Sequence, residues 1–142
     1  MCANDLREKP KKTPRLIAGV FALLWAALIF FLSSIEGGDY PPHPGFLNYV
    51  AHFCEYLVFG TLLTVALNGP TRALWKSALI ALVVASVYAV SDEFHQFFVP
   101  GRQCDPIDWL TDTIGAAVGC LATIFYLSAR KASHSRRRDG VS

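Results

Sequence analysis

Four apolar runs, at 16–32, 46–67, 74–96 and 107–127, take up most of this 142-residue chain, and each approaches the length of a lipid bilayer's interior. About 20 apolar residues in a helix cross the ~30 Å of hydrocarbon. No water reaches that depth, so each backbone N–H and C=O has to be paired within its own segment, which makes such runs helices. With 53% hydrophobic residues and 17% charged ones, the chain is far too apolar for a soluble domain of this size. It is expected to be an all-α integral membrane four-helix bundle forming one domain over 16–128, flanked by basic tails at 1–15 and 129–142.

The first run follows a basic segment, as a secretory signal does. Yet its 17 residues exceed the usual ~7–15-residue apolar region and no A-x-A-like cleavage site follows. It reads as an uncleaved span. Ala18, Ala22 and Ala26 recur every fourth residue, a small-residue spacing that lets another helix come close.

Charge sets the expected topology. Five Lys or Arg precede the first run, two lie between the second and third, and five follow the fourth, whereas Arg102 stands alone on the other side. Basic residues collect on the cytoplasmic side of a membrane, so both termini are expected in the cytoplasm of a multi-pass protein of the bacterial inner membrane. The basic clusters are accounted for by orientation, and no nucleic-acid partner is expected. The four cysteines show no C-x-x-C and no pairing within one compartment, so neither a disulfide framework nor a cysteine metal site is expected.

Several helix ends are legible. Asn68 to Lys76 forms a short turn. The third helix meets no breaker before Pro100-Gly101 and is expected to run through His95 and Gln96. Asp105 is a candidate N-cap for the fourth helix, Pro106 suits its first position, and Asp108 falls where an acid favours the free N–H groups of the first turn.

This topology gathers polar residues at one end. The second helix carries Asn48, His52, Glu55 and Tyr56 near its start, the third carries Glu93 and Gln96 near its end, and the fourth carries Asp108 and Asp112 near its start. At 1.5 Å per residue His52 and Glu55 lie roughly 10 Å inside the outer surface. An outward-opening polar pocket is expected, walled by Asn48, His52, Glu55, Tyr56, Glu93, Gln96, Asp108 and Asp112, with Arg102 as its lid. Asp108, Asp112, Gly115 and Gly119 share one face of the fourth helix, and Gly115-x-x-x-Gly119 is a close-packing motif. Ala81, Ala85, Ala89 and Glu93 form a matching stripe on the third.

His52-x-x-Glu55-Tyr56, then Asp92-Glu93-x-His95-Gln96-x-Phe98-x-Pro100-Gly101-Arg102, then Asp108-x-x-x-Asp112-x-x-Gly115-x-x-x-Gly119 together resemble the VanZ-like family of small bacterial membrane proteins. The resemblance covers helices two to four. It implies a multi-span envelope protein, in a family whose founding member is associated with resistance to the glycopeptide teicoplanin. Many members carry Asn where this chain has Asp112, which adds a negative charge here.

Acids inside spans are costly and mark functional sites by default, but each has a structural reading too. Asp108 serves a helix start, and Glu93 paired with Arg102 or His52 would clamp helices two and three. His52 and Glu55 at i, i+3 could bind a metal, with Glu93 and His95 or Asp112 completing the shell, but they reverse the Glu-x-x-His order of metal-binding bundles and no HExxH is present, so no metal and no cofactor is assigned. His95 is expected to face lipid headgroups, and His43 and His134 to be solvated. The expected partners are membrane lipids together with a lipid-linked envelope precursor or a glycopeptide, and an oligomer is compatible with the small-residue faces. Three classes stay open: a pocket binding an envelope component, an intramembrane enzyme acting on one, and a proton-coupled carrier.

Overall fold

A computed structural model describes residues 13–36, 45–102 and 104–139. Four helices account for nearly all of them: α1 (Thr13–Ser33), α2 (Phe46–Leu67), α3 (Leu74–Gln96) and α4 (Pro106–Asp139). All four are long and apolar enough to cross a membrane. His43 and most of the α1–α2 loop lie outside the described residues.

Their exposed surface is that of a protein solvated by lipid: Leu23, Phe31, Val87, Leu121 and Phe125 are all more than 60% exposed. Burial is reserved for small and polar side chains. Lipid removes the hydrophobic drive for helices to associate, leaving close packing and polar bonds to hold them. Ala18, Ala22, Ile29 and Ser33 make the buried stripe of α1, and Ala78, Ala81, Ala85 and Ala89 that of α3.

The closest pair is α2 with α4, which run parallel. A methyl group added at Gly115 would collide with the carbonyl oxygen of Phe53, one at Gly119 with that of Leu57, and one at Gly60 with the backbone of Ala116. Glycine is required there because the two backbones touch. Thr64 Oγ1 donates to Cys120 Sγ at 3.2 Å and Tyr88 Oη to Ala26 O at 2.7 Å, adding polar bonds between α2 and α4 and between α3 and α1. α3 packs on both α2 and α4, and α1 packs mainly on α2. Among the described residues α1 does not contact α4.

Asp105 caps α4 as its sequence suggests, its Oδ1 accepting the Ile107 N–H at 2.8 Å. The turn before it carries Pro100 and then Gly101 at φ 73°, closed by the Arg102 N–H on Val99 O at 3.1 Å. That is a type II arrangement, in which the third residue needs a positive φ that glycine supplies. One element is longer than expected. α4 does not stop near residue 127 but continues as a helix to Asp139, because 128–139 contains no Gly or Pro and is rich in Ala, Lys and Arg, all good helix formers. Its cations also suit a helix C-terminus. Pro14 starts α1 earlier than expected.

The ends of the bundle differ in charge. Arg15, Arg72, Arg130 and Lys131 line a groove of about 770 Å³ at one end, and the acids occupy the other. Substitution of Gly119 or Gly115 by valine is expected to force α2 and α4 apart, costing about 1–3 kcal/mol as overpacking does, whereas Gly45→Ala, with open space around it, is expected to be nearly neutral. Unfolding of the detergent-solubilised variants measures the difference.

Candidate functional site

The α2–α4 contact that demands glycine below also aligns the acids above. In this parallel pair the same face that carries Gly115 and Gly119 carries Asp108 and Asp112 one and two turns earlier, opposite Asn48 and His52 of α2. His52 Nδ1 lies 2.9 Å from Asp112 Oδ1, so with the carboxylate ionised this nitrogen holds the proton and donates it. Asn48 Nδ2 donates to both oxygens of Asp108 at 3.1 and 3.2 Å. His52 Nε2 is 3.8 Å from Asp108 Oδ2, too far for a hydrogen bond.

α3 adds a second layer. Glu93 Oε2 accepts the backbone N–H of Asp105 at 2.8 Å, tying the end of α3 to the start of α4. This is the bond that fastens Glu93, which reaches the α4 backbone where the sequence suggested a partner in Arg102 or His52. Asp92 Oδ2 accepts from Ser33 Oγ at 2.8 Å and from Gln96 Nε2 at 3.2 Å, which fixes α3 to α1. His95 also belongs to that junction: its ring stacks on Phe30 with centroids 4.4 Å apart, and Nε2 is 3.0 Å from Ser34 Oγ. It packs on α1, where headgroup contact had been expected.

Above these residues lies a cavity of about 760 Å³, lined among others by Asn48, His52, Glu55, Gln96, Arg102, Cys104, Asp105 and Asp108. Arg102 sits at its edge, with Nη2 donating to Leu32 O at 3.4 Å. Of the residues expected as walls, Asn48, His52, Glu55, Gln96, Arg102 and Asp108 line it. Tyr56, Glu93 and Asp112 do not; they are buried beside or beneath it. Tyr56 is fully buried with its ring edge-on to Phe59, and its hydroxyl has no hydrogen-bond partner among the described residues.

Four polar residues at the site, Ser33, Asp92, Cys104 and Asp105, were not among the expected walls. Ser33 ends the buried stripe Ala22, Ile29, Ser33 of α1, and Asp92 with Gln96 stands beside the alanine stripe of α3. A stripe about two residues wide, as a helix presents to two neighbours, would have included both.

The Cys104 thiol is pushed up from its ordinary range, first by desolvation and then by the carboxylates of Glu93 and Asp105. A raised thiol pKa means less thiolate at neutral pH and a weaker nucleophile. Cys104 is exposed, and with the orientation expected from the distribution of cations it should react with a membrane-impermeant maleimide added outside the cell, more slowly at pH 7 than an ordinary surface cysteine and closer to it as pH rises. Labelling of intact cells against permeabilised ones checks both sidedness and rate.

Comparison with the curated proteins and with the solved structures gives no significant match. The family model described as VanZ/LLP1 matches residues 18–127, which takes in all but the start of α1, the whole of α2 and α3, and α4 as far as its basic extension. This multi-pass membrane chain belongs to the VanZ/LLP1 family.

Proposed function

We propose that this protein sits in the bacterial cytoplasmic membrane with both termini inside, and that its extracytoplasmic cavity binds the polar head of an envelope component, either lipid-linked or carboxylate-bearing. The observation that carries this reading is the cavity itself: about 760 Å³ at the acidic end of the bundle, with Arg102, Asn48, Gln96, His52, Glu55 and Asp108 lining it. A guanidinium at the edge suits a phosphate or carboxylate, which it grips with paired N–H groups. The amides and acids below suit the hydroxyls or amines of a headgroup. The gathering of cations at the opposite end agrees with the orientation. Occupying such a component would alter how glycopeptides meet their target, which ties the reading to the family's association with teicoplanin resistance.

One observation favours a second, enzymatic reading. His52 donating from Nδ1 to Asp112 is oriented as a general base is, with its other nitrogen toward the cavity. A carrier is less favoured, since Phe59, Ala85 and Ala116 close the bundle below the cavity.

Purified protein is expected to retain anionic amphiphiles from an envelope lipid extract, and Arg102→Gln is expected to weaken retention by roughly 10- to 100-fold, the worth of one or two charge-assisted hydrogen bonds. Mass spectrometry of the bound fraction identifies the class. No retention from any extract would sink the binding reading. A product formed by wild type and lost in His52→Gln, with binding kept, would move the assignment to the enzyme.

A further inference from the structure

Three buried carboxylates, Asp92, Glu93 and Asp112, each have one oxygen with no hydrogen-bond partner among the described residues, and two of them, Glu93 and Asp112, come together beside His52. Glu93, 4% exposed, spends Oε2 on the Asp105 N–H and leaves Oε1 without a partner; Asp112, fully buried, spends Oδ1 on His52 and leaves Oδ2 without one. Buried polar atoms are nearly always satisfied, and an exception calls for a cause such as a bound ion. His52, Glu93 and Asp112 each offer one donor atom, and these lie within 4.8 Å of one another.

A doubly protonated His52 does not account for this. Its Nδ1–H is committed to Asp112 Oδ1, and an Nε2–H would point toward Asp108 Oδ2 at 3.8 Å. Glu93 Oε1 and Asp112 Oδ2 would still be bare, inside a membrane span where unpaired acids are costly. A divalent cation answers both oxygens and takes the place of the proton on Nδ1, the ring nitrogen that faces Asp112.

We propose that His52, Glu93 and Asp112 bind one divalent metal ion of the zinc type at the floor of the cavity. One imidazole and two carboxylates are ordinary zinc donors, and three protein ligands are the number that leaves a fourth position open. A histidine that ligates a metal commonly directs its other N–H to a carboxylate, and with Nδ1 on the ion the Nε2–H of His52 faces Asp108 Oδ2 at 3.8 Å. Ligands at ~2.0–2.2 Å from one ion stand at most ~4.4 Å apart, so closing the set takes side-chain shifts of a few tenths of an ångström. The open position would face the cavity, where an anionic oxygen of a headgroup completes the shell. The ion's own binding does not depend on the headgroup reading, although that reading names what the open position is for.

The test is uptake of Zn²⁺ by chelator-stripped protein in detergent, with no lipid added, followed by equilibrium dialysis and metal analysis. One ion per chain is expected, with affinity at least ten-fold weaker in Asp112→Asn, Glu93→Gln and His52→Gln. His95→Gln and His134→Gln, both away from the floor, are expected to bind as wild type does. Absorption-edge spectroscopy of the wild-type zinc protein needs no variant and is expected to show nitrogen and oxygen ligands with one imidazole. Absence of uptake by folded wild type, uptake unchanged in the three floor variants, or sulfur in the shell would each overturn the proposal. Zinc uptake with no lipid retention would remove the headgroup reading and leave the metal site; lipid retention by protein that takes up no zinc would do the reverse.

Discussion

Backbone contact between α2 and α4 is the constraint on which the other features depend. In lipid, helices gain little by hiding apolar side chains from one another, and attraction grows only as their surfaces come within van der Waals range. Gly60, Gly115 and Gly119 remove the side chains that would hold α2 and α4 apart. Once these parallel helices touch at Phe53 and Leu57, their register is set, and the same register brings Asn48 to Asp108 and His52 to Asp112 a turn or two above. The cost of carrying acids into the membrane is thus met by partners that packing delivers.

α3 is joined to this pair by polar groups as much as by its alanine stripe. Glu93 reaches the first residues of α4, and Asp92 reaches the last residue of α1. Adjacent acids on one helix turn therefore serve different neighbours. Gln96, one turn on, holds Asp92 from above and also lines the cavity, so the wall of the cavity and the clasp between α1 and α3 share a side chain.

Much of this was legible because membrane chains write their architecture plainly. Long uncharged runs, lopsided cations and small residues at helical spacing each have one dominant cause, and they anticipated four helices, the capped start of α4 and the Gly115–Gly119 contact. Conformation beyond the membrane was less plain: the basic stretch after residue 127 was read as a tail because its charge was weighed and its freedom from helix breakers was not. In the site, helical phase picked out most of the converging residues but gave no depth. It set Tyr56, Glu93 and Asp112 in the walls, although they do not line the cavity, and it named Glu55, Glu93, His95 and Asp112 around His52 without saying which of them meets it. The pairing that forms runs between helices, with Asp112, sixty positions away. Distances of that kind depend on which helices are adjacent and at what register, and a single sequence does not specify them.

The gap between α1 and α4 has a consequence of its own. Among the described residues, the acidic recess and the large basic one each take part of their lining from α1 and part from α4 or the loop before it, while no Cα of α1 lies within 8 Å of one in α4. Each of the two recesses therefore has a flank that α1 and α4 do not seal by packing on each other, which on the proposed reading is where a lipid head enters. A molecule dissolved in one leaflet can arrive sideways, by diffusing in two dimensions, with its tail still among other tails and only its head exchanging surroundings. For such a ligand the relevant concentration is its mole fraction in that leaflet, and the water phase plays no part in delivery.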